Sequence, residues 1–164
     1  MVMNAKNGDV FAEIGTWKGQ SAVYMAEAIK QSGKDIKWYV IDTFEGTDEE
    51  HDNDKDVINN TLYETYLSNI EPVKEFITTI RANSQEAFKE FKDNSLDFLF
   101  IDGDHTYKGV RADLINWYPK VKSNGIIAGH DYAEPTCGVK MAVDQYFLFT
   151  GIIQDKTSWI YKKL

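Results

Sequence analysis

Residues 10–33, VFAEIGTWKGQSAVYMAEAIKQSG, decide the fold of this chain. The apolar run Val10–Ile14 predicts a buried strand that ends at Gly15. Residues Gln20–Lys30 carry apolar side chains at helical spacing, and Gly33 stands where a left-handed helix cap belongs. A buried strand followed at once by a helix is typical of the first unit of a parallel α/β sheet.

The same alternation continues along the chain and predicts a doubly wound parallel sheet with helices on both faces. Ligands bind such sheets beyond the carboxyl ends of the strands, near the switch in strand order. The tail from residue 152 to residue 164 offers two closing strands. Further strands are predicted at Lys37–Ile41, Phe76–Arg81, Leu96–Ile101 and Ile126–Gly129, and further helices at Ser84–Phe91, Tyr107–Tyr118 and Gly138–Phe149.

Length and composition limit the class of protein. The chain has 164 residues, which fits one domain spanning 1–164, and a net charge of −8 that disfavours nucleic acid and anionic membranes as partners. Its single cysteine, Cys137, excludes an intrachain disulfide and has no basic neighbour in sequence to activate it. No apolar run has the length of a membrane span or a signal peptide, so we expect a cytoplasmic protein.

One segment departs from the strand–helix alternation. Residues 45–56, EGTDEEHDNDKD, are acidic and polar, and apolar side chains at helical spacing follow between Val57 and Leu67. The segment is a solvated loop, a mobile lid over the site or a patch that attracts cations, and the apolar stretch predicts a helix across the end of the sheet. We therefore expect residues 45–70 to form an insert that covers the site.

The turn after the first strand reads Glu13-x-Gly15-x-x-x-Gly19. Glycine lets a ligand approach the backbone closely, and the following helix offers free N–H groups at its positive end. Trp17 stands where the GxGxxG fingerprint of dinucleotide-binding proteins has its second glycine, which disfavours an NAD-dependent enzyme. The turn suits a ligand whose carboxylate meets the helix.

Polar groups also follow the second strand. Asp42 can accept hydrogen bonds from both ribose hydroxyls of a nucleoside, or it can cap a turn. Phe44 can stack on adenine, or it can belong to the core. The sequence leaves both alternatives open.

Ionisable side chains gather after the fourth and fifth predicted strands. Asp102 and His105 follow the run Leu96–Ile101, a pattern typical of a shared metal or an acid–base pair. His130 and Asp131 follow Ile126–Gly129. Because these strands are expected to be neighbours, we predict that Asp102, Asp131 and His130 meet. Carboxylate oxygens suit Mg²⁺, Ca²⁺ or Mn²⁺, and a histidine ligand favours Mn²⁺ or another transition ion.

Read together, these segments resemble the class I S-adenosylmethionine-dependent methyltransferases, and more narrowly the small-molecule O-methyltransferase branch called the methyltransferase-24 family. The resemblance implies a seven-stranded Rossmann-like sheet whose last strand is antiparallel. It covers roughly residues 10–150 and is carried by FAEIGTWKGQSA, YVIDTFEG, ANSQEAF, LDFLFIDGDHTYKGVRADL and NGIIAGHDY.

The resemblance implies S-adenosylmethionine as cofactor, S-adenosylhomocysteine as product, a small-molecule acceptor and, in metal-dependent members, Mg²⁺ or another divalent cation. It implies a general base at His105 and metal ligands at Asp102 and Asp131, with His130 where relatives carry a carboxylate. Asp102 is also counted with the catalytic and cofactor-binding groups. The remaining residues implied to bind the cofactor are Glu13, Gly15, Thr16, Trp17, Gly19, Ser21, Asp42, Thr43, Phe44, Asn83 and Ser84.

Two other functions share the expected fold. One is a non-catalytic module that binds S-adenosylmethionine or a nucleoside, and the other is a metal-dependent hydroxylase, which would require Fe²⁺ and O₂. Members of this branch carry helices ahead of the first strand, and this chain has few residues there. We expect the cover to come from residues 45–70 or from a second copy of the chain in a homodimer.

Overall fold

The computed structural model describes residues 1–47, 53–133 and 138–164, so Cys137 and part of the acidic segment, residues 48–52, lie outside the described residues. Seven strands form one sheet in the order β3-β2-β1-β4-β5-β7-β6. All neighbouring pairs from β3 to β5 are parallel, whereas β7 is antiparallel to both β5 and β6. The strands are β1 Val10–Ile14, β2 Lys37–Asp42, β3 Thr78–Arg81, β4 Leu96–Ile101, β5 Val121–Gly129, β6 Ile152–Asp155 and β7 Ser158–Lys162.

The helices connect the strands much as the periodicity predicts. Helix α1 ends at Gly33, whose φ of 64° is the left-handed cap predicted from sequence. Short 3₁₀ segments extend several connections, at Val2–Asn4, Glu71–Phe76, Phe88–Glu90 and Tyr118–Lys120. The α-helices are α1 Gln20–Ser32, α2 Lys55–Ile58, α3 Leu62–Ile70, α4 Ser84–Ala87, α5 Tyr107–Trp117 and α6 Val139–Tyr146.

Several boundaries differ from the sequence prediction, and β5 begins at Val121 rather than at Ile126. Residue 76 ends a 3₁₀ turn, so β3 begins only at Thr78. The cap of α4 is Asn83, whose side chain accepts from the Gln85 N–H, rather than Ser84. The helix predicted through 57–67 is broken into α2 and α3, because Asn60 takes a left-handed φ of 56°.

Alternation along the strands divides the core into two layers. In β1, Ala12 and Ile14 pack into the layer under α5 and α6, while Phe11 packs into the layer under α1 and α3. Glu13 shares the parity of Phe11 and is 1% exposed, so a carboxyl group enters an apolar layer. That placement is unfavourable for the charged form of the carboxyl group unless a partner pairs with it.

The switch in strand order lies between β1 and β4. The Asp102 N–H donates to the Ile14 carbonyl at 2.8 Å, and the Gly15 N–H donates to the Ile41 carbonyl at 2.9 Å. These bonds bring the carboxyl ends of β1, β2 and β4 together, which is where a ligand is expected in an open α/β sheet. Among the described residues, no helix combines the length and apolarity needed to cross a bilayer.

Candidate active site

A cleft of about 810 Å³ opens at the carboxyl edge of the sheet. It is lined by the ends of β1, β2, β4 and β5 and by the segment between β3 and α4. The lining also includes polar and charged side chains outside the predicted site set, among them Gln85, Asp104, Lys108 and Asp113. Of the predicted residues, the cleft brings together Gly15, Trp17, Asp42, Thr43, Asn83, Ser84, Asp102, His105, His130 and Asp131.

The structure places Phe44 away from this cleft. Its ring is 5% exposed and packs against Tyr63 and Tyr66, with ring centroids 4.8 and 4.6 Å away. Of the two alternatives that the sequence leaves open for Phe44, the structure therefore favours the core position. Gly19 also lies outside the cleft lining: it caps α1 at a φ of 85° and faces the Tyr66 ring.

Asp42 organises the turn after β1. One of its carboxylate oxygens accepts from the backbone N–H groups of Thr16 at 2.7 Å and Trp17 at 3.0 Å, and the other accepts from Phe44 at 2.7 Å. A carboxylate has about four acceptor sites, so one remains for a ligand hydroxyl. The turn-capping alternative is thus realised, and it leaves room for the ribose role.

Glu13 is a buried carboxyl group without a hydrogen-bond partner among the described residues. Burial raises its pKa to about 8; the nearby Ser21 and Thr16 hydroxyls oppose this rise, and the charges of Asp102 and Asp42 add to it. The Thr16 hydroxyl is likewise buried and unpartnered. Glu13 and Ser21 line a second cavity, of about 660 Å³, between α1 and the sheet.

Gly15 makes the closest backbone approach at the switch point. A Cβ atom there would lie 2.2 Å from the Asp102 carbonyl oxygen, and its φ of +79° also disfavours a side chain. Gly8, with a φ of +88°, shares the conformation but has nothing within 4 Å of such an atom. A substitution at Gly8 therefore measures the cost of the left-handed backbone alone, whereas one at Gly15 adds the cost of the clash.

We expect Gly15→Ala to lower the free energy of unfolding by about 3 kcal/mol or more, since overpacking adds to the left-handed strain. Gly8→Ala, the matched control, should cost only about 1–2 kcal/mol. Urea unfolding of both variants measures the difference. Equal losses would show that the β1–β4 approach is looser than described.

Asp102, His105 and Asp131 converge at the ends of β4 and β5. The His105 Nε2 atom lies 3.2 Å from an Asp131 oxygen and 3.8 Å from an Asp102 oxygen. One ligand atom from each of the three residues lies within 4.8 Å of the others, which is a spacing that a divalent cation can bridge. The group can therefore act as an acid–base pair or as a metal centre.

His130 is not part of that group, which therefore differs from the predicted metal set of Asp102, His130 and Asp131. Its Nδ1 atom lies 3.1 Å from the second Asp131 oxygen, and its Nε2 atom lies 2.7 Å from the Thr157 hydroxyl. Both ring nitrogens are therefore engaged. Asp131, at a left-handed φ of 56°, bridges the two histidines. The sequence could not reveal Thr157, because it arrives from the turn before β7.

Part of the predicted insert is tied to the glycine turn. Lys18 forms ion pairs with Asp54 and Asp56 at 2.9 and 2.8 Å, and Asp54 caps α2. Asp56 also accepts from the Thr61 and Thr65 hydroxyls. Two of the acidic residues are thus engaged with the turn that begins α1.

The sheet order, the single reversed strand β7 and the cleft at the switch point together define a class I methyltransferase fold. Residues 12–132 match the family described as "Methyltransferase domain", the methyltransferase-24 family, and the chain belongs to it. Its expected fold and family are both confirmed.

The curated relatives are longer than this chain. It is 31% identical over 133 residues to the uncharacterized protein R132 of Acanthamoeba polyphaga mimivirus, covering 79% of the chain and 54% of that protein. It spans only 12% of a second relative, from Sinorhizobium fredii.

Two solved structures share the fold. The O-methyltransferase NovP has a TM-score of 0.75 at 21% identity, and the match covers 99% of this chain and 74% of NovP. The apo structure of CalS11, a TDP-rhamnose 3'-O-methyltransferase of calicheamicin biosynthesis, has a TM-score of 0.67 at 14% identity. The match covers 98% of this chain and 74% of CalS11.

Proposed function

We propose that this chain is an S-adenosylmethionine-dependent O-methyltransferase acting on the hydroxyl group of a small molecule. The observation that carries the proposal is one cleft that holds the glycine turn, Asp42 and the His105–Asp131 pair together. The first two suit a nucleoside cofactor, and the pair suits removal of a proton from an acceptor.

The residues around the glycine turn fit the methionine part of the cofactor. The Glu13 carboxyl, which lines the second cavity, and the Thr16 hydroxyl are buried without a hydrogen-bond partner in the part of the chain that the structure describes, and a ligand ammonium would satisfy them. Asp42 retains an acceptor site for a ribose hydroxyl, while Thr43, Asn83 and Ser84 line the same cleft. The net charge of −8 also favours a cationic sulfonium cofactor over an anionic dinucleotide.

The bound sulfonium supplies the methyl group, and the chain positions the acceptor for in-line displacement. The carbon–sulfur bond breaks as the carbon–oxygen bond forms, and the acceptor oxygen loses its proton. His105 accepts this proton at Nδ1, while its Nε2–H donates to Asp131, which orients the ring and stabilises the imidazolium. His130, held by Thr157, fixes Asp131 in turn.

A metal-assisted form of the same reaction is favoured by the convergence of Asp102, His105 and Asp131. Two carboxylates and one imidazole are a donor set that Mn²⁺ accepts, and Mg²⁺ accepts the carboxylates. A divalent cation held there would lower the pKa of the acceptor hydroxyl. His105 would then serve as a ligand, so titration with metal decides its role.

The likeness to NovP and CalS11, both O-methyltransferases, the second named for TDP-rhamnose, supports this choice of acceptor class. We assign the acceptor to small hydroxylated molecules such as sugars and phenols. The insert at 45–70, tied to the turn through Lys18, would cover the acceptor end.

Methyl transfer from radiolabelled S-adenosylmethionine to a panel of sugars, nucleotide sugars and phenols tests the proposal. Each acceptor is assayed with EDTA, with Mg²⁺ and with Mn²⁺. Label that moves to an acceptor, with release of S-adenosylhomocysteine, is the expected result. Cofactor binding without transfer to any acceptor would favour the non-catalytic module.

A further inference from the structure

One residue of the turn between β6 and β7 contacts both neighbours of Asp131. The Thr157 carbonyl accepts from the Tyr132 N–H at 2.8 Å, and the Thr157 Oγ1 atom lies 2.7 Å from the His130 Nε2 atom. The turn is a tight hairpin, because only residues 156 and 157 join the two strands. A hairpin that is distant in sequence therefore reaches the candidate site.

The hairpin is fixed against β5 just before His130. Gly129 pairs with Trp159 in the β5–β7 ladder, and a Cβ atom at Gly129 would lie 2.6 Å from the Trp159 indole nitrogen. Trp159 is fully buried, so this close approach belongs to the core. Asp131 takes a left-handed φ of 56°, a conformation that non-glycine residues keep only where their surroundings determine it. The two Thr157 contacts, one on each side of Asp131, provide that constraint.

The direction of the side-chain hydrogen bond follows from Asp131. Its carboxylate only accepts, so the His130 Nδ1 atom, 3.1 Å from one oxygen, carries the ring proton. A neutral imidazole has one N–H group, so Nε2 presents a lone pair and the Thr157 hydroxyl donates to it. His105 meets the other Asp131 oxygen with its Nε2 atom at 3.2 Å, so the lone pair of that ring lies at Nδ1. The lone pair of His130 is thus occupied by a hydroxyl group of this chain.

We propose that Thr157 is a positioning residue that occupies the Nε2 lone pair of His130 and so leaves His105 as the histidine that accepts a proton beside Asp131. The catalytic consequence rests on the proposed function, whereas the hydrogen bond is testable without cofactor or acceptor. Thr157 itself touches no reacting atom. Its effect passes through the His130 ring, which lines the cleft.

Diethyl pyrocarbonate tests the hydrogen bond, because it acylates an imidazole nitrogen through the lone pair of that nitrogen. The His130 side chain is 42% exposed, so the reagent can reach it. In metal-free protein at pH 7.5, Thr157→Val should raise the acylation rate of His130 about fivefold, the factor that one neutral hydrogen bond contributes. Peptide mass spectrometry separates His130 from the other two histidines of the chain.

Two further variants serve as matched controls for this rate. Thr157→Ser keeps the hydroxyl group and should leave His130 at the wild-type rate. Thr150→Val removes a threonine hydroxyl that donates to the Phe147 carbonyl, away from the site, and should change nothing. Thermal unfolding confirms that each variant is folded, and Thr157→Ala carries the test where Thr157→Val is not.

Methyl transfer tests the consequence through the sign of a double-variant comparison. Thr157→Val should lower kcat about fivefold with unchanged affinity for S-adenosylmethionine, and Thr157→Ser should restore it. In the His105→Ala background, Thr157→Val should instead raise the residual rate, because the released His130 lone pair can take the proton. A merely structural role of Thr157 would lower the rate in both backgrounds.

The outcomes separate this inference from the proposed function. An unchanged acylation rate in Thr157→Val, or an equal increase in Thr157→Ser, would overturn the inference and leave the proposed function standing. A double variant that is slower than His105→Ala would also overturn it. Wild-type protein that transfers methyl groups to no acceptor would overturn the proposed function, while the acylation rates would still decide whether Thr157 occupies the His130 lone pair.

Discussion

The His105→Ala variant is expected to transfer methyl groups about 100-fold to 10,000-fold more slowly than wild-type protein, the range attributed to a positioned general base. Its affinity for S-adenosylmethionine should change by less than about threefold, because the role proposed for His105 is to take the proton of the acceptor rather than to hold the cofactor. Steady-state kinetics with the best acceptor from the panel, together with calorimetry, measure the two effects separately. Unchanged turnover would remove His105 from the mechanism.

His130→Ala is the matched comparison for this variant. The ring nitrogens of His130 contact Asp131 and Thr157. We therefore expect His130→Ala to lower the turnover rate by a smaller factor than His105→Ala does. Mn²⁺ titration of both variants then tests the metal assignment. Weakened Mn²⁺ binding in His105→Ala alone supports the set Asp102, His105 and Asp131. Weakening in His130→Ala alone would restore the set expected from sequence.

The second large effect is expected from Glu13→Gln, which should stabilise the protein increasingly as pH rises. The folded-state pKa of about 8 lies above the ordinary value of 4.5, so the folded protein binds the proton more tightly than the unfolded chain. Stability associated with this group is present below pH 4.5 and is lost as pH rises to about 8. The full loss is about 5 kcal/mol, and the glutamine variant escapes it.

Urea unfolding at pH 5 and pH 9 measures this effect, with Glu27→Gln on the exposed side of α1 as control. The advantage of Glu13→Gln should grow by several kcal/mol between the two pH values, at about 1.4 kcal/mol per pH unit. The same variant should bind S-adenosylmethionine about tenfold more weakly, because the ligand ammonium would favour ionisation of Glu13 on binding and a neutral amide cannot supply that charge. A pH-independent difference would mean that Glu13 is solvated or paired.

Local patterns were sufficient for most of the fold. The β1 and β4 boundaries match the apolar runs, and the Gly33 cap matches its position after the last apolar residue of α1. The segment from 57 to 76 was less readable, since Asn60 and the 3₁₀ turn over Glu71–Phe76 divide what looks like a continuous pattern. Such breaks depend on single residues whose conformations are set by packing.

The candidate site was predictable where it follows strand ends and not where it depends on side-chain direction. Parallel strands bring Asp102 and Asp131 to one edge, as expected. Which histidine joins them depends on Thr157, distant in sequence, and the placement of Phe44 depends on Tyr63 and Tyr66. No sequence signal separated these alternatives. The Asp113–Gln85 contact likewise arises only when α5 packs on α4.

Calorimetric titration of wild-type protein with S-adenosylmethionine, with NAD as the control ligand, tests the central claim most directly. We expect saturable binding at micromolar concentration, about −8 kcal/mol, no binding of NAD, and loss of binding in Asp42→Ala. Asp97→Ala, which removes a carboxylate that accepts from the Val10 N–H at the opposite end of β1, should leave the affinity unchanged. Absence of S-adenosylmethionine binding with and without Mg²⁺, or tighter binding of NAD, would contradict the account.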